Sequence, residues 1–114
     1  MKRFSEGMSG ISGVVVFNGM VHAVAFDPDC ADGISQQTAN SLQYLDDLLA
    51  KAGSDKSRLI HATVYLSDIR HKPDMDAVWL KWIGGEENWP QRACVGVDLS
   101  LGYLVEIVVT AAEA

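Results

Sequence analysis

A two-layer α+β sandwich, with two helices on one face of a mixed sheet, is what this sequence predicts, and three observations carry it. Asn18-Gly19 sits between two β-rich runs, Val14 to Phe17 and Met20 to Phe26. The apolar residues then switch twice to a helical period, from Thr38 to Ala52 and from Met75 to Trp82. Each helical stretch is followed by period-2 alternation, Arg58 to Leu66 and Arg92 to Leu99, and a last alternating run covers Tyr103 to Ala111. The predicted order is β-β-α-β-α-β-β.

The elements follow in chain order. After a Gly/Ser-containing lead, Gly7 to Gly13, the chain opens with a hairpin, because Asn and Gly both accept the positive φ of a type I′ turn. Asp27 to Gly33 reads as loop from its Asp, Pro and Gly content. Thr38, Leu42, Leu45, Leu49 and Ala52 then form one helical stripe widened by Leu48, with Ser35 as the expected N-cap and Gly53 as the C′ stop. Asp55-Lys56-Ser57 turns the chain into a strand with Ile60, Ala62, Val64 and Leu66 on its core side and His61, Thr63 and Tyr65 opposite. Asp68 to Pro73 is a charged connector. Met75, Val78, Trp79 and Trp82 mark a second, shorter helix, ended by Gly84-Gly85.

Pro90 is placed where a strand can begin without losing a ladder bond. In the run it opens, Ala93, Val95, Val97 and Leu99 share one face, expected to be core, and Arg92, Cys94, Gly96 and Asp98 share the other. In the last run Val105, Ile107, Val109 and Ala111 are apolar, and Leu104, Glu106, Val108 and Thr110 lie opposite. The expected sheet has about five strands, and its uncovered face carries Arg92, Cys94, Glu106, His61, Thr63 and Tyr65. A face of that mixed character is a candidate interface between copies of the chain.

A length of 114 residues fits a single domain, 1–114, and 48% hydrophobic with 21% charged residues is ordinary for a folded chain. A net charge of -6, with no basic stripe, disfavours nucleic acid as a partner. Cys30 and Cys94 are far apart and in neither redox nor zinc spacing, so free thiols in a reducing compartment are expected. No apolar segment follows the basic start Met1-Lys2-Arg3, and no run reaches membrane-spanning length. A cytoplasmic location is expected.

Several segments, taken in order, resemble one family. They are Val14-Val15-Val16-Phe17-Asn18-Gly19, Gln37-Thr38, Leu48 to Gly53, Val64-Tyr65-Leu66-Ser67-Asp68, Met75-Asp76-Ala77-Val78-Trp79, Pro90-Gln91-Arg92-Ala93-Cys94-Val95 and Val105-Glu106-Ile107. Together they are similar to the Rid family, the RidA/YjgF-like reactive-intermediate deaminases, and the run Ala52 to Ser57 resembles an outlying subgroup rather than the RidA core group. The resemblance implies a chorismate-mutase-like fold and a homotrimer with sites between subunits. It implies hydrolysis of 2-imino or enamine acids to 2-keto acids and ammonia without a metal or cofactor. Arg92 would pair with the substrate carboxylate, Glu106 would hold or deprotonate the attacking water, and the Cys94 backbone would help place it. Ala25, Phe26 and Trp89 would line the pocket.

Three departures from the family pattern bear on the site. No tyrosine precedes the first strand, Val24-Ala25-Phe26 replaces a Ser-Gly-Gln, and Asp76 stands where asparagine is usual. Taken without the resemblance, Arg92 is a structural partner for Glu106 or Asp98, Cys94 is a small buried hydrophobe, and Trp79 and Trp82 are core. His22, His61 and His71 have no metal spacing. The alternative to an enzyme is a catalytically silent trimer of the same fold that binds a small carboxylate.

Overall fold

Two successive β-α-β crossovers dictate the architecture. A computed structural model describes residues 1–114. Its strands are β1 (Lys2–Phe4), β2 (Val14–Phe17), β3 (Met20–Ala25), β4 (Leu59–Leu66), β5 (Gln91–Gly96) and β6 (Val105–Ala112), with helices α1 (Ile34–Lys51) and α2 (Lys72–Ile83). The sheet order is β1-β2-β3-β6-β4-β5. β4 and β5 are parallel and every other neighbouring pair is antiparallel. Going from β3 over β6 to β4 and on to β5, the chain moves in one direction across the sheet. Crossovers of the same hand then leave α1 and α2 on the same face.

Local chemistry places the elements. Asn18 and Gly19 have φ of 55° and 79°, as a type I′ turn requires, and Phe17 pairs with Met20 across it. α1 begins one residue before the expected cap: Gly33, at φ 83°, precedes Ile34, and Ser35 lies inside the helix. Burying Ile34 against the core outweighs the hydroxyl cap. At the other end Gly53 (φ 78°) donates to Ala50 and Ser54 N–H donates to Leu49, the paired bonds of a Schellman stop. α2 starts inside the expected connector, because Pro73 has a fixed φ that suits the first turn and needs no N–H there.

Leu42, Leu45, Leu48 and Leu49 of α1 and Met75 and Ile83 of α2 pack on Val21, Ala62, Val64, Ile107 and Val109 of the sheet. The opposite sheet face has no cover within the protomer, a slab 37 × 36 × 20 Å in extent. Phe17, Val95 and Val97 are exposed, and Val24, Thr63, Tyr65, Glu106 and Val108 are half-buried.

Three expectations are corrected. The residues before the Gly/Ser-containing lead contribute a sixth strand, β1, paired with β2; at three residues it is too short to show a period. Ile60 is 46% exposed, because the pairing of β4 with β6 shifts between Leu59 and His61 and Leu59 takes the core position. The faces of β5 are inverted. Arg92 and Cys94 pair with the buried Ala62 and Val64 and so face the helices, while Ala93 and Val95 lie on the open side.

Candidate active site

The two charged residues singled out in the sequence sit at different depressions of the protomer. Glu106 rises from β6 on the open face, level with Tyr65 of β4. It lines a cavity of about 410 Å³ with Met8, Phe26, Asp98, Leu99, Ser100 and Tyr103. The chain's ion pairs do not include Glu106. Phe26 forms the cavity's back wall, held edge-on by Tyr44 and Tyr103 with ring centroids 5.3 and 5.6 Å away. Ala25, expected to line the pocket, is 0% exposed in the core and does not line this cavity, because its side chain turns to the helix side of the sheet.

Arg92 lies on the helix side of β5. It borders a second depression of about 260 Å³ formed with Asp76, Trp79, Leu80, Ile83 and Trp89. Its guanidinium lies over the Trp79 ring at 5.2 Å, and Nη1 is 3.8 Å from Met75 Sδ. Nη2 donates to Asp76 Oδ1 at 2.5 Å, and Lys72 Nζ donates to Asp76 Oδ2 at 2.8 Å. The structural partner of Arg92 is thus Asp76, neither Glu106 nor Asp98. Burial pulls the Asp76 carboxyl upward, but its bonds to Lys72 and Arg92 outweigh that and hold it below the usual carboxylate value. Trp89 is 54% exposed, with Nε1 donating to Gly84 C=O at 3.0 Å, so its ring is held at the rim. Cys94 is half-buried behind Arg92. Burial pushes its thiol up, against the lowering charges of Arg92 and Lys72, which suits a packing role rather than a thiolate.

Two buried polar side chains, Gln37 and Asp27, fix the loops that flank the Glu106 cavity. Gln37, 1% exposed, donates to Ala31 C=O and Gly102 C=O and accepts from Leu104 N–H, each at 2.8 Å. It ties the loop after β3 to the loop before β6. Asp27, 0% exposed, accepts from Asp29 N–H and Ala31 N–H at 2.8 Å and from Asn40 Nδ2 at 3.1 Å. The signal available in the sequence was Gln37 beside the apolar stripe, a polar side chain where a buried helix face needs a partner.

Burial raises the Asp27 pKa, but hydrogen bonds from Ala31, Asp29, Asn40 and Cys30 more than offset it, and the carboxyl ends below its ordinary value. Its contribution to stability is therefore present above the unfolded carboxylate value of about 4 and is lost as pH falls through the lower folded value. Asp27→Asn is expected to cost about 1–3 kcal/mol at pH 7, since the new amide N–H₂ faces donors. The difference from wild type should shrink below about pH 3. Denaturant unfolding at both pH values checks this, and a difference independent of pH would remove the charge from the explanation.

Two of the three histidines have side-chain partners outside both depressions. His61 bonds Gln91 and Thr63 at 2.9 Å, and His22 bonds Thr110 at 3.3 Å. No group of three or more His, Cys, Asp or Glu residues is placed to hold a metal ion. No helix is long and apolar enough to cross a membrane.

Comparison with known proteins adds to the geometry. A family model described as Endoribonuclease L-PSP matches residues 1–113. A RutC family protein of Haemophilus ducreyi is 37% identical over 112 residues, covering 96% of this chain and 89% of that one. The RutC family protein YoaB of Escherichia coli is 32% identical over 102 residues, 89% of each chain. Among solved structures, a YjgF-family protein of Neisseria meningitidis superposes with a TM-score of 0.92 at 30% identity, covering 99% of this chain and 94% of that one.

Proposed function

The chain belongs to the Rid family, the RutC/YjgF group covered by the L-PSP model, and on that premise we propose that it is a cofactor-independent deaminase of 2-imino and enamine acids. The observation that carries this reading is Glu106, a half-buried carboxylate outside every ion pair of its chain, on the wall of a cavity large enough for a small acid. Arg92 binds the substrate carboxylate. Glu106 takes a proton from a water as the water oxygen bonds to the imine carbon. The tetrahedral adduct then collapses: Glu106 returns the proton to nitrogen, the C–N bond breaks as Glu106 takes the hydroxyl proton and the C=O forms, and the departing ammonia picks that proton up, leaving the 2-keto acid and ammonium. A protonated imine is already electrophilic, so positioning supplies most of the acceleration.

Arg92 and Glu106 face opposite sides of one sheet, so a site using both needs two protomers. We place that site in the clefts of a homotrimer whose uncovered sheet faces turn inward. Phe17, Val95 and Val97 supply apolar area for such a contact. The cytoplasm is the compartment that would keep Cys30 and Cys94 reduced. A net charge of -6 gives no footprint for an RNA backbone, which argues against a ribonuclease reading of the fold. The apolar wall at Phe26, where the family pattern has polar residues, favours the second reading, a silent trimer that binds a small carboxylate, because it offers no group to hold a water.

The test generates imines from a panel of amino acids with an amino-acid oxidase and follows keto-acid release. At least one imine is expected to be hydrolysed well above the protein-free rate. Equal rates with and without protein across the panel would leave the silent-binder reading.

A further inference from the structure

Arg92 is held by α2 in a way that sets both its orientation and the charge a ligand meets. Lys72 and Asp76 lie one turn apart on the helix and bond at 2.8 Å, and Asp76 passes its other oxygen to Arg92 Nη2 at 2.5 Å. Trp79 lies against the guanidinium face, and Met75 Sδ takes a hydrogen of Nη1. A guanidinium has five N–H donors. Two are engaged, and Nε makes no hydrogen bond within the chain, so the group is fixed in plane with donors still free. The guanidinium is 19% exposed, against 35% for Asp76 and 45% for Lys72, so the charge at the rim is the sum of the three. Arg92 with Asp76 alone would be neutral, and Lys72 returns one positive charge.

We propose that Lys72 and Asp76 are positioning and charge-setting residues for the Arg92 anchor. Asp76 orients the guanidinium, and Lys72 restores the net positive charge by which the site selects small monocarboxylates. The proposal rests on the reading of Arg92 as a carboxylate anchor. A purely structural Asp76 would only neutralise a half-buried guanidinium. In that case Lys72, at the outer edge, would have no bearing on what Arg92 binds.

The test uses the full chain and two readouts: calorimetric binding of 2-oxobutanoate, and turnover of the imine of 2-aminobutanoate. Lys72→Met is expected to weaken 2-oxobutanoate binding about fivefold at low ionic strength, as the loss of one charge a few ångströms beyond the anchor implies. The loss should shrink at high salt, and Lys72→Arg should restore affinity. Asp76→Asn keeps an oxygen acceptor for Arg92 and removes the negative charge, so binding should tighten by a similar factor. In turnover the same order should appear in KM more than in kcat.

Unchanged binding and KM in Lys72→Met and Asp76→Asn, alongside an active wild type, would overturn this inference and leave the deaminase reading standing. The expected order of binding without imine turnover would do the reverse. No 2-oxobutanoate binding by the wild type would overturn the anchor and this inference with it. Lys72 is solvent-facing, so its variants are expected to fold. Their unfolding midpoints check that.

Discussion

Arg92→Ala and Glu106→Gln are each expected to reduce imine hydrolysis by about a hundredfold or more, and chains of the two variants unfolded, mixed and co-assembled should regain about a quarter of the wild-type rate. The recovery follows from geometry. Tyr65 pairs with Glu106 on one side and Val95 on the other, and Arg92 is three residues back along β5. At ~4.8 Å per strand and ~3.3 Å per residue their backbones are about 14 Å apart, with side chains on opposite faces. One protomer cannot bring them to one substrate. If each site takes its arginine from one subunit and its glutamate from the next, random assembly gives about one site in four an intact pair. Keto-acid release from the mixture, against each variant alone, measures this. A mixture as inactive as its parents would confine the site to one protomer and remove one of the two residues from it.

Gln37→Ala should have the largest effect on folding, a loss of about 3 kcal/mol in denaturant unfolding at neutral pH. The amide bonds two backbone carbonyls and one backbone N–H of separate loops. Removing it leaves three part-buried backbone groups without partners, and Gln37→Leu, which fills the space, should be nearly as costly. The effect should reach the site as well, because the tied loop carries Tyr103 and leads into Glu106. A loss below about 1 kcal/mol would mean that water substitutes for the side chain.

What could be read from the sequence depended on whether the signal was local. The hairpin at Asn18-Gly19 and the span of α1 follow from turn stereochemistry and a long periodic stripe, and both are found. The apolar face of β6 was also legible, since a charge and a threonine break the opposite face. β5 was misread because alternation gives two faces without saying which is covered. Its apolar residues look like core, yet the helix layer places Trp79 and Met75 over Arg92. Asp76 escaped notice as a partner because the contact joins a helix to a strand 16 residues away. Ile60 was misassigned for a related reason: a single extra residue reverses the phase of a strand, and nothing within the strand marks where. The family pattern singled out Arg92 and Glu106, and the register of β4 with β5 and β6 is what shows that they face apart.

The insertion of β6 between β3 and β4 also governs how the molecule comes into being. Synthesis delivers β3, α1, β4, α2 and β5 before the strand that joins them. Until β6 emerges, β3 and β4 each present a bare hydrogen-bonding edge, and the apolar faces of both helices have only half a sheet beneath them. The central pairings are then all long-range: Val109 reaches back to Ala23, across most of the chain, and to Ala62. Closure is therefore a late, non-local event that couples the ends of the polypeptide, and the nascent chain stays vulnerable to strand exchange with its neighbours until it occurs.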